Sequence, residues 1–159
     1  MRGKRICLWC LVIAVAGMIF FFSAMKGPES MKLSHEFTEG FMRLCHPDFD
    51  TLPAEKQEQI YSLFVFIVRK TAHFAEFAAL GMSLLLLLRD YRLRRAGLWA
   101  WLIGTLYAGT DELHQSLNGT RTPSLRDVGI DSAGVLFGAA MIALFAYLWT
   151  RRRSNKETA

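Results

Sequence analysis

The chain has 159 residues, 52% of them apolar, a positive mean hydropathy and a formal net charge of +5. That length suits one soluble domain, but the apolar residues come in unbroken blocks rather than as the stripe of a soluble helix, which excludes a soluble globular fold. The cationic residues flank those blocks, so the charge reads as membrane topology rather than as a nucleic-acid footprint.

Ile6 to Ala24 carries no charge in 19 residues and predicts a first span over about 6–25. Arg2, Lys4 and Arg5 before it would also suit a secretory signal. The only small-residue site, Phe22-Ser23-Ala24, puts a bulky Phe where cleavage needs a small side chain, so an uncleaved helix is expected. In the loop that follows, Ser30 to Cys45 sets Met31, Phe37, Phe41, Met42 and Leu44 near helical spacing. Ser30 or Ser34 could cap this segment and Pro47 would end it, which predicts a short amphipathic helix lying at the interface. Further apolar stretches predict spans over about 60–88, 96–116 and 125–149. The expected fold is therefore all-α: a polytopic bundle of about four transmembrane helices forming a single domain over residues 1–159. Cys7 and Cys10 form a CxxC inside an apolar helix with no second pair, and Cys45 reads as a free thiol, so neither metal nor redox use follows.

Lys and Arg beside the helix ends set orientation. Arg2, Lys4 and Arg5, then Arg89, Arg92, Arg94 and Arg95, then Arg151, Arg152, Arg153 and Lys156 fall on one side of a four-span chain. The other side has Lys26, Lys32, Arg43 and Lys56, offset by seven acids in the same loop, and then Arg121 and Arg126. Both termini are expected in the cytoplasm, with residues 26–59 and 117–125 outside.

Polar residues collect at the outer ends of the last three spans. In the second, Arg69, His73 and Glu76 lie within roughly 60° of one another on one helical face, with Glu76 about 10 Å deeper than Arg69. Lys70 reads as an interfacial anchor whose head snorkels to water. An acid inside a span costs several kcal/mol unless it is paired or wet, which makes Glu76 informative. The third span brings Asp111, His114 and Gln115 to one face, with Glu112 beside them. Arg121 follows in the connection. The fourth opens with Asp127 and Asp131, and its stripe continues through Gly134 and Gly138, a spacing that lets a neighbouring backbone approach closely. Such a cluster either neutralises itself as ion-pair scaffolding or forms a ligand-binding or catalytic site open to the outside. The convergence of three segments on one leaflet favours the site.

The stretches HFAEF, DELHQSLNGTR and LRDVGIDSAGVLFG, with FFFSAMKGPESMKLS at the end of the first span, resemble the VanZ-like membrane proteins from about Phe20 to Gly138. Ala24 and Met25 depart from that pattern, standing where the family often has Ser and Gln. The resemblance implies a bacterial cell-envelope protein of the cytoplasmic membrane. The family name comes from a protein linked to low-level resistance to teicoplanin, a glycopeptide that targets peptidoglycan precursors. The resemblance carries over no catalytic residues.

Two classes of chemistry suit the polar set. A binding or shielding protein would use Arg69 and Arg121 for phosphate or carboxylate and the acids for hydroxyl or ammonium groups, holding a membrane lipid, a lipid-linked cell-wall precursor or a glycopeptide. An enzyme would use His73, Glu76, Asp111, Glu112, His114, Asp127 and Asp131 around a divalent cation, Mg²⁺ or Mn²⁺ by the oxygen-rich ligands or Zn²⁺ by the histidines, as a hydrolase or transferase acting on an envelope lipid. The spacings match no established metal motif, so cofactor and enzymatic status stay open. Transport is disfavoured, since four helices are few and no Gly- or Pro-broken pair of spans occurs.

Overall fold

Apolar side chains that cannot all be buried within one small bundle must find lipid instead. Ile6, Ile13, Phe20 and Phe21, then Leu98, Leu102, Ile103 and Leu106, then Leu136, Phe137, Leu144 and Phe145 are all exposed on the surface of the fold. In water this belt would be untenable; in a bilayer it is the lipid face. The protein is an integral membrane protein. The computed structural model describes residues 2–24, 28–117 and 124–157, with side chains described for 2–24, 37–117 and 124–155.

Those residues form five α-helices and a short 3-10 turn, with no strand among them: α1 (Arg2–Ala24), α2 (Pro28–Cys45), α3 (Ala54–Asp90), α4 (Ala96–Leu117) and α5 (Leu125–Glu157), the turn covering Phe49–Thr51. By length and composition, three of them can cross a membrane: α1, α3 and the Leu125–Asn155 part of α5. The expectation of four spans is therefore approximate. At 22 residues α4 is also long enough, but Asp111, Glu112, His114 and Gln115 make its last turns polar.

Contacts between helix ends set the direction of each element. Arg5 Nε, at the start of α1, donates to Asp90 Oδ2 at the end of α3 at 3.0 Å, and Lys4 Nζ lies 2.9 Å from Asp90 Oδ1. Trp9 Nε1 donates to Tyr91 Oη at 3.1 Å, and the Arg5 guanidinium sits over the Tyr91 ring. Tyr107 Oη of α4 donates to the Ala16 carbonyl of α1 at 2.7 Å, while Ser23, near the end of α1, meets Asp111. So α1 and α4 run one way. α3 and α5 run the other, as Lys70 meets Asp127 and Ala78 meets Gly138. α4 meets α1 over their later turns, Ala16 to Ser23 against Tyr107 to Gln115, and α3 and α4 lie between α1 and α5. Both described ends of the chain fall at the Asp90 end of the bundle, and the acids of α4 and α5 at the opposite end.

The turn from α3 to α4 takes five residues and closes with a hydrogen bond from Leu93 N to Leu88 O and another from Arg92 N to Arg89 O. This is the paired capping pattern that usually places glycine at the left-handed position. Here Arg92 (φ 55°) fills it, and Arg95 (φ 60°) is left-handed too.

The tightest packing joins α3 to α5, and it rests on glycines. A β-carbon on Gly138 would overlap the Ala78 carbonyl, one on Gly81 the Val135 carbonyl, and one on Gly134 would lie 2.5 Å from the Phe74 carbonyl oxygen. The backbones touch where side chains would normally stand between them, as small residues allow in lipid. Phe77, Ile19, Leu85 and Val135 fill the remaining core.

α2 is helical over the segment where an amphipathic helix is expected. Thr38 and Met42 are buried while Phe37 and Leu44 are exposed. Its Phe41 ring packs against Phe64, on the first turns of α3.

Candidate functional site

Four helix segments deliver polar side chains to the bundle end opposite the described ends of the chain. α3 brings Lys70, His73 and Glu76, α4 brings Asp111, Glu112 and Gln115, α5 brings Asp127 and Asp131, and α1 brings Ser23. A cleft of about 10 Å³ opens among them, lined by Lys70, His73, Glu112, Gln115, Asp127 and Asp131. That is room for about one water-sized group.

Hydrogen bonds order one side of the cleft. Ser23 Oγ donates to Asp111 Oδ2 at 2.9 Å, and Gln115 Nε2 donates to the same oxygen at 2.8 Å and to Ser23 Oγ at 3.1 Å. The triangle ties the end of α1 to α4, where Asp111 and Gln115 stand one turn apart on the same face. Glu112 is buried, and its Oε1 accepts the Ser124 backbone N–H at 2.8 Å. Ser124 precedes α5, and its carbonyl accepts the N–H groups of Asp127 and Val128. Glu112 of α4 therefore anchors the point at which α5 begins.

On the other side Lys70 Nζ lies 2.5 Å from Asp127 Oδ2, with the two side chains only 16% and 21% exposed. This corrects the reading of Lys70 as a snorkelling anchor. Its position one turn before His73 and Phe74 and two turns before the buried Phe77 puts it on the inward stripe of α3. That spacing was the available signal. His73 Nδ1 stands 3.9 Å from Glu76 Oε2, an ion pair when the ring is protonated. Glu76 lies within electrostatic reach of Asp111, and Asp131 within reach of Asp111, Lys70, Asp127 and Glu112.

The other expected members stand apart. Arg69 and Glu76 are half-buried but do not line the cleft. His114 leaves the face of Asp111 and Gln115, and its ring stacks on Phe20 of α1 with centroids 4.5 Å apart. Arg121 lies outside the described residues. Sequence reasoning missed Lys70 and Ser23; the latter sits in the last turn of an otherwise apolar helix, with only its depth to mark it.

The profile of the VanZ/LLP1 family matches residues 8–146, most of the chain and every residue around the cleft. The chain belongs to the VanZ/LLP1 family. No match emerges among curated proteins or among solved structures. Among the described residues, no group of three or more His, Cys, Asp or Glu converges to hold a metal ion. The metal-assisted reading therefore gains no ligand set from them.

Proposed function

We propose that this VanZ/LLP1 protein sits in the bacterial cytoplasmic membrane with both termini inside, and that its polar cleft faces outward to bind an envelope lipid or a glycopeptide-related amphiphile. Such binding links it to glycopeptide, including teicoplanin, tolerance. The orientation rests on the cationic residues at the Asp90 end, Lys4, Arg5, Arg89, Arg92, Arg94 and Arg95, joined by Arg151 to Arg153. The observation that carries the reading is the cleft itself: Lys70, His73, Glu112, Gln115, Asp127 and Asp131, from three helices, line one opening at the end of a span bundle. Polar groups at that depth are costly in lipid and mark sites that handle polar ligands.

Saturable binding tests it. The purified protein in mild detergent should bind an envelope-lipid extract or teicoplanin with a Kd below about 10 µM. Glu112→Gln keeps an acceptor for the Ser124 N–H while removing charge, and should weaken that binding about tenfold. No saturable binding of either probe to the wild type would sink the reading.

A further inference from the structure

Most of the polar side chains around the cleft are already engaged with one another. Lys70 holds Asp127, Gln115 and Ser23 hold Asp111, and Glu112 accepts the Ser124 N–H. Asp131 is the exception. It is 5% exposed, lines the cleft, and makes no hydrogen bond or ion pair with a described residue. It stands one turn beyond Asp127 on the same face of α5. A buried carboxylate in this state lacks donors, and the cleft is where donors can be supplied.

Charge and size then choose among donors. Asp131 feels three further carboxylates, Asp111, Asp127 and Glu112, against one ammonium, Lys70, which is already paired. A phosphate or carboxylate placed here would meet net repulsion, whereas a cation would not. The opening of about 10 Å³ admits one water-sized group. A primary ammonium group has about that size and presents three N–H donors, whereas trimethylammonium is several times bulkier and presents none.

We propose that the cleft takes a primary ammonium group carried on an amphiphile, with Asp131 as its principal acceptor and the Lys70–Asp127 pair at its flank. This rests on the outward ligand-binding reading and names the chemistry of the bound group. An ethanolamine headgroup and the side-chain amine of a cell-wall peptide share that chemistry.

The test needs no variant in its first arm. The protein in detergent is titrated with dioleoyl phosphatidylethanolamine, its N-methyl and N,N-dimethyl forms, phosphatidylcholine and phosphatidylglycerol. Affinity should fall stepwise with methylation, by at least about tenfold from ethanolamine to choline, and phosphatidylglycerol should bind no better than choline lipid. A second arm uses Asp131→Asn, which should bring ethanolamine lipid to the choline value and flatten the series. A third sets free ethanolamine against a lysine-containing muropeptide as competitors. Displacement by the muropeptide at lower concentration assigns the amine to a cell-wall peptide; displacement by neither, with the methylation series intact, assigns it to the lipid headgroup. Saturable binding that ignores methylation, prefers phosphatidylglycerol, or keeps its ethanolamine preference in Asp131→Asn overturns the ammonium proposal and leaves the ligand-binding reading standing. Absence of any saturable lipid or glycopeptide binding overturns both.

Discussion

Lys70 Nζ of α3 lies 2.5 Å from Asp127 Oδ2 of α5, and both side chains are largely withdrawn from solvent. The pair joins the two helices with the most extensive contact in the fold, at the end where α5 begins. His73, three residues on along α3, lines the cleft beside it.

Removing either partner should strand the other. Lys70→Met and Asp127→Asn are each expected to lower stability by about 2–3 kcal/mol, and the double change by clearly less than their sum. Thermal or denaturant melts of the detergent-solubilised variants read the coupling. Strict additivity would mean that the pair contributes no mutual stabilisation.

The glycines separate into two classes with opposite expectations. Gly138→Ala and Gly81→Ala force a β-carbon into a backbone carbonyl, and each should cost about 2 kcal/mol or more, with Gly134→Leu and Gly138→Leu abolishing folded membrane yield. Gly17 and Gly109 have nothing within 4 Å of the added carbon. There the change to Ala should be neutral or stabilising by up to about 1 kcal/mol through helix propensity. Equal melting temperatures across both classes would remove the close α3–α5 approach as a determinant of the fold.

Much of this architecture was legible because lipid and water divide side chains so sharply. The uncharged run from Ile6, the Gly134–Gly138 stripe and the acids of α4 and α5 each declared an environment. Helix ends were less legible. α3 begins at Ala54 and α5 continues to Glu157, because AEKQEQ and RRRSNKE are good helix formers that extend the helices past their apolar runs. Rotation of each helix about its axis was the hardest quantity. Lys70 and Arg69 are neighbours in sequence, yet only the rotation set by packing against Gly134 and Gly138 turns Lys70 toward Asp127. His114 shows the same limit, since its spacing from Asp111 did not reveal the Phe20 ring waiting on α1.

Orientation has a direct chemical reading at Cys45, an exposed thiol at the end of α2. In a variant whose Cys7 and Cys10 are changed to Ala, a membrane-impermeant maleimide should label Cys45 on intact spheroplasts as fully as after lysis. Labelling only after lysis would invert the proposed topology and place the cleft on the cytoplasmic face.

Two buried aspartates should respond to the same substitution in opposite ways. Asp111 Oδ2 accepts hydrogen bonds from both Ser23 and Gln115. Asp111→Asn replaces one oxygen with an amide nitrogen and sets a donor against two existing donors in at least one rotamer. It should lower stability by about 1–3 kcal/mol and loosen the α1–α4 contact. Asp131, equally buried, makes no hydrogen bond or ion pair with a described residue and faces three other acids. Neutralising it relieves desolvation and like-charge repulsion, so Asp131→Asn should melt at or above the wild-type temperature. A scaffolding network predicts loss at both positions; a site that sacrifices stability to meet a ligand predicts loss at Asp111 alone. Melts of the two variants beside a saturable lipid-binding assay decide the matter. The reading stands if Asp131→Asn is the more stable protein and the poorer binder, and it fails if stability and binding fall together there.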